Sequence, residues 1–94
     1  MKLYDVLNTT GDLPNSGSSW FEALECELGR ELPEYYHGEK TAGGHMSSHP
    51  VCSGVQKTEY IAYIPKSFNE NQNNHISIDV DLNHFALYED VKSK

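Results

Sequence analysis

Ser19-Trp20-Phe21-Glu22-Ala23-Leu24-Glu25-Cys26-Glu27-Leu28-Gly29-Arg30-Glu31-Leu32-Pro33 is the stretch on which the fold turns. Ser19 followed by Glu22 is a capping box, in which the hydroxyl accepts from the N3 amide and the carboxylate reaches back to the cap amide. Trp20, Phe21, Leu24, Leu28 and Leu32 recur at three and four residues, which puts them on one helical face. Glu25 and Glu27 fall largely away from that face. The spacing predicts a helix from Trp20 to about Glu31. Gly29 weakens its last turn, and Pro33 disfavours helix at Leu32.

A helix with one apolar face needs a second layer to bury it. The last third of the chain supplies one. Thr58-Glu59-Tyr60-Ile61-Ala62-Tyr63-Ile64 is rich in strand formers, apolar on both faces, and closed by Pro65. Ile76-Ser77-Ile78-Asp79-Val80-Asp81-Leu82 alternates strictly, predicting a strand with Ile76, Ile78, Val80 and Leu82 inward. The phase shifts at Asn83-His84, which predicts a bulge or turn followed by a short strand through Tyr88. Residues 66–74 read as a polar loop. Leu3, Val6 and Leu7 suit a helical turn, while Leu3-Tyr4-Asp5-Val6 could start a strand. The expected fold is α+β: one amphipathic helix (about 20–31) on a small, mainly antiparallel sheet of three or four strands. Residues 1–94 form one domain, with a long irregular loop over 33–57 and a frayed tail at 92–94.

Composition narrows the function classes. The chain has 94 residues, 37% apolar, with 14 acids against 7 bases for a net charge of −7. Arg30 is the single arginine. Direct nucleic-acid binding needs clustered Lys and Arg, and anionic membrane surfaces need the same. No stretch reaches the ~18 apolar residues of a membrane span. The first residues are too short and polar for a signal peptide, so Cys26 and Cys52 are expected as reduced thiols in a cytoplasm.

Three constellations bear on chemistry. His45-x3-His49-x2-Cys52, with His37 nearby in a Gly-rich segment, has a spacing from which zinc ligands could be drawn. The same residues offer a thiol beside an imidazole, although no nucleophile-elbow sequence accompanies them. Asp79-x-Asp81 places two outward carboxylates ~6.5–7 Å apart on a strand. Nothing Gly-rich or basic stands by to hold a phosphate over a metal there. The third constellation is the acids themselves. Glu22, Glu25, Glu27, Glu31 and Glu34 crowd the helix and its exit, Asp79 and Asp81 form a second group, and Tyr35 and Tyr36 are aromatic anchors of the kind enriched at interfaces.

Phe21-Glu22-Ala23-Leu24 through Leu32-Pro33-Glu34-Tyr35-Tyr36-His37-Gly38 resembles the first helix and following loop of barstar-like ribonuclease inhibitors. The likeness spans residues 21–38. That family continues with an acidic helix beginning Asn-x-Asp-Ala-Leu. This chain continues Glu39-Lys40-Thr41-Ala42-Gly43-Gly44, so the family's inhibitory residues have no counterparts and no role is carried over. In size and charge the chain also resembles phage-borne inhibitors of host defence, such as anti-CRISPR and anti-restriction proteins.

The sequence therefore predicts a small, acidic, non-catalytic inhibitor in the cytoplasm, that of a host if the gene is phage-borne. Its expected partner is a basic protein, a nucleic-acid-binding enzyme or effector. The expected contact residues are Glu22, Glu25, Glu27, Glu31, Glu34, Tyr35, Tyr36, Asp79 and Asp81, acting as a nucleic-acid mimic. A homodimer would relieve the thin core. The alternative is a zinc-stabilised module or small enzyme built on His37, His45, His49 and Cys52. No cofactor other than zinc is implied.

Overall fold

The computed structural model describes residues 1–15, 19–36, 38–70 and 74–93. Strands β1 (Lys2–Asp5), β2 (Tyr35–Tyr36), β3 (Glu39–Ser47), β4 (Tyr60–Pro65), β5 (Ser77–Asp79) and β6 (Phe85–Leu87) form one curled antiparallel sheet. Its order is β5-β1-β3-β4-β6, with β2 added to the start of β3. Helices α1 (Trp20–Leu28), α2 (Lys66–Glu70) and α3 (Tyr88–Lys92) complete an α+β fold.

α1 begins where the capping box places it: Ser19 Oγ accepts from Glu22 N at 3.2 Å. It stops at Leu28, three residues short of the expected Glu31, because Gly29 takes the left-handed conformation (φ 72°) that closes a helix and that glycine adopts without strain. Trp20, Ala23 and Leu24 press onto Ile61 and Tyr63 of β4 and onto Tyr88 and Val91 of α3. Burial of a side chain such as Leu24, fully removed from water, is worth about 1.5–3 kcal/mol. The opposite face of the sheet holds a second cluster of Leu3, Met46, Ala62, Ile64 and Val80, with Phe68 of α2 and Phe85 packed around it. β4 is thus covered on both sides, as its unbroken apolar run predicts.

Several expectations are corrected. Among the described residues there are three α-helices and six strands, not one helix on three or four strands. Most important, residues 33–57 are not an irregular loop. Glu39–Ser47 forms β3, the longest strand, paired to β4 from Thr41↔Pro65 to Met46↔Tyr60 and to β1 at Tyr4↔Ser47 and Asp5↔Met46. Its glycines hide it in the sequence but are required by the packing. A Cβ on Gly43 would lie 2.6 Å from Phe21 N and Trp20 C, so α1 sits directly on the bare backbone. β5 keeps only the middle of the predicted Ile76–Leu82 strand, and Ile76 and Leu82 are exposed. Residues 66–70, expected as loop, make α2, and Tyr88 starts α3 rather than ending a strand. Of the tail expected to fray, Lys92 lies in α3, Ser93 N bonds to Glu89 O, and Lys94 lies outside the described residues.

Candidate functional site

The acids and tyrosines named from the sequence reach the surface from different elements. On α1, Glu22 is exposed in the first turn and Glu27 is half-buried. Glu25 has turned inward: its Oε2 accepts from Leu32 N at 2.7 Å and ties the residues after α1 back to the helix. It is a structural clamp as well as an acid. Glu31 and Glu34 are exposed beyond the helix, and Tyr35 is 59% exposed.

Tyr36 packs edge-on against Tyr63, ring centroids 5.8 Å apart, while Tyr63 donates its hydroxyl to Tyr35 O at 3.3 Å. The fold then brings Tyr36 beside the second acidic group. A crevice of about 20 Å³ is walled by Tyr36, Tyr63, His84, Asp79 and Asp81, residues far apart in the chain. Arg30 reaches the same end of the molecule, where its guanidinium donates to Asn83 O. Asp81 faces His84 at 3.9 Å. Tyr36, Asp79 and Asp81 therefore share one surface, to which the turn after α1 is tied.

His45, His49 and Cys52 are arranged differently from a ligand set. His45 is buried and its Nε2 is bonded to Asp12 Oδ2 at 2.9 Å. His49 is exposed, and Cys52 Sγ lies against His49 O and Ser47 Oγ. His37 lies outside the described residues. Among the described residues no three His, Cys, Asp or Glu side chains come together to hold a metal ion. Cys26 and Cys52 are both free thiols.

The polar cluster that the fold builds around Asp12 was not foreseen from the residues alone. This residue lies in the connection between β1 and α1, and three elements hold it. Trp20 Nε1 donates to its backbone carbonyl at 2.8 Å, and Tyr88 Oη donates to its Oδ2 at 2.7 Å. His45, stacked edge-on against Trp20 at 5.0 Å, bonds to the same Oδ2. Burial pushes the Asp12 carboxyl up, but the bonds from Tyr88 and His45 outweigh it and hold the group below its usual value. Burial pushes the His45 imidazole down, against the opposing pull of Asp12. The neutral ring therefore donates Nε2–H to a carboxylate and keeps Nδ1 as an acceptor. Burial, then the bond to Asp12, pushes the Tyr88 phenol well up, so it stays a donor.

This cluster forms one wall of a cavity of about 550 Å³, the size of a small-molecule pocket. β1 leaves the sheet after Val6, whose N–H bonds to His45 O, and the edge of β3 at Gly43 is left facing the opening. Glu70 of α2 stands on the far rim, and Asp5 lines the wall at the end of β1. Asp5 pairs with Met46, so the two side chains share a face, opposite to that of His45. The cavity thus wraps around the free edge of β3.

No family model, curated protein or solved structure matches this chain. The segment that follows the barstar-like stretch is the strand β3, not an acidic helix. Among the described residues no helix is long and apolar enough to cross a membrane.

Proposed function

We propose that this protein is a non-catalytic inhibitor that binds a basic, nucleic-acid-binding enzyme or effector and blocks it. It acts in the cytoplasm, and in that of a host if the gene is phage-borne. The observation that supports this reading is the convergence of Tyr36 with Asp79 and Asp81 around one crevice. An aromatic anchor ringed by exposed carboxylates matches what a basic groove recognises: an apolar contact that slows dissociation and charges that speed encounter. The surface acids Glu22, Glu27, Glu31 and Glu34 extend the field around it, and at −7 the whole chain is drawn toward a positively charged partner.

Affinity capture from a lysate of the host, with identification of the retained proteins, tests this. The expected partner is basic, loses nucleic-acid binding in the complex, and is released as salt rises, since exposed charges are screened over ~8–10 Å near physiological ionic strength. Charge reversal at Glu27, Glu31, Asp79 and Asp81 together slows association, whereas Tyr36→Ala speeds dissociation. Glu25 is left intact because it clamps Leu32. Capture of acidic partners alone, or binding indifferent to the quadruple variant and to salt, refutes the proposal.

A further inference from the structure

The cavity beneath the β1–α1 connection contains a feature that folding does not explain. Asp5 is 4% exposed and lines the cavity, yet among the described residues no donor reaches its carboxyl. The carboxyl is not sealed off but opens onto the cavity, so a donor entering from outside can take the position that no protein group fills. Asp12, by contrast, already has its donors.

The lining decides the chemistry of that partner. Asp5, Asp12 and Glu70 are the acids on the wall, and no Lys or Arg is among the lining residues. A phosphate or carboxylate would meet repulsion on every side. A divalent metal needs several oxygens converging at about 2.0–2.6 Å, and no such group exists among the described residues. A neutral apolar molecule would leave the Asp5 carboxyl without a donor. The face of Trp20 and the open edge of β3 at Gly43 complete the walls.

We propose that this cavity is a binding site for a compact organic cation with N–H donors, an ammonium or guanidinium group, whose charge is received by Asp5. The cation supplies the hydrogen bonds that Asp5 lacks, and Glu70 on the rim adds to the attraction. Burial alone raises the Asp5 carboxyl to about 7, so an arriving cation deprotonates it and releases a proton. The other titratable groups on the wall are Asp12, His45 and Glu70. The proposal does not rest on the inhibitor reading, because Asp5 is buried and plays no part in the acidic surface. The shared chemistry has two sources, a free amine or an arginine side chain of another protein.

Isothermal titration of the whole chain tests it with two probes: agmatine and the peptide acetyl-Gly-Arg-Gly-amide. The matched neutral control is acetyl-Gly-citrulline-Gly-amide. At least one cationic probe is expected to bind and to shift the Trp20 indole N–H signal. The neutral peptide should be at least tenfold weaker. At pH 6 the measured heat should vary with the buffer's ionisation enthalpy, reporting the released proton. Asp5→Asn, which keeps the side chain's shape, should weaken binding at least tenfold. Should that variant misfold, exposed Glu70→Gln gives a second reading and should weaken binding a few-fold. Tighter binding of agmatine identifies a free amine as the source, and tighter binding of the peptide identifies a side chain. No binding of either cation at millimolar concentration overturns the proposal, as does equal binding of the neutral peptide or full affinity in both variants. Agmatine binding lost in Asp5→Asn while lysate capture is unchanged separates this site from the acidic surface.

Discussion

Asp5 and Asp12 stand on the same cavity, seven residues apart in the chain, and their proton affinities are moved in opposite directions. Asp5 ends β1 on the aliphatic side of the sheet, among neighbours such as Met46 that offer it no donor. Asp12 lies on the α1 side, where Tyr88 and His45 reach it and Trp20 pins its backbone. Both sites disfavour charge by excluding water. Only one replaces what water supplied. The polarity of a buried carboxyl is thus set less by depth than by whether the adjoining layer carries donors. On the α1 side Trp20, Tyr88 and His45 surround Asp12, whereas the buried cluster on the face of Asp5 is Leu3, Met46, Ala62, Ile64 and Val80.

The largest effect should come from removing the better-served carboxyl. Asp12→Ala leaves Tyr88 Oη and His45 Nε2 without their acceptor, and a loss of about 3 kcal/mol in urea denaturation is expected at neutral pH. A loss below about 1 kcal/mol would show that the two carboxyls are not so different. Asp5 should behave in the opposite sense. Its folded-state pKa, about 7, lies above its unfolded value, so its contribution to stability is fully present below pH ~3.8 and is lost as pH rises through 7. Asp5→Asn should therefore gain on the order of 2 kcal/mol over the parent at pH 8 and almost nothing at pH 4. Thermal melts across that range check it, and a pH-independent difference would break the contrast.

Smaller effects sharpen the comparison of the two faces. Gly43→Ala pushes a methyl into the backbone of Trp20 and Phe21, which cannot yield without moving α1. Gly44→Ala meets the side-chain ends of Ile64 and Asn69, which can turn aside. The expected losses are about 1–3 kcal/mol and under about 1 kcal/mol respectively. Equal losses would mean that the two faces are equally rigid. Smallest is the helix cap: Ser19→Ala should cost about 1 kcal/mol, read from the denaturation midpoint.

What the sequence made legible follows from how local each signal is. The α1 start and its apolar face are encoded in neighbouring residues, and so is β4, whose seven-residue run suits a strand whatever surrounds it. β3 is the reverse case. Glu39-Lys40-Thr41-Ala42-Gly43-Gly44 has weak strand propensity, and its glycines read as a loop until the backbone of α1 is laid across them. β5 shows alternation overreaching: its period is right, but Ile76 and Leu82 lie outside the paired segment, at an edge where no second layer covers them. The acidic residues were recognisable individually, and their convergence with Tyr36 was not, because it depends on the sheet curling. The cavity was harder still. Asp12 sits in a stretch that reads as turn, and Asp5 reads as the polar member of an amphipathic start. The clue was a charged residue flanked by Leu3, Val6 and Leu7, where a strand with both faces covered has no water for it.

The pairing of β1 with β5 also dictates when the molecule can be finished. Lys2–Tyr4 bond to Ser77–Asp79, while the other neighbour of β1, β3, meets it only at two residues. On a ribosome adding about 5–20 residues per second, β1 emerges roughly 4–15 s before β5 is made. Throughout that interval β1 has an unsatisfied edge, and so does the wall of the cavity that Asp5 occupies. Early arrest of translation would therefore release a species whose exposed strand can pair with other chains, so residues 75–94 govern the solubility of residues 1–5.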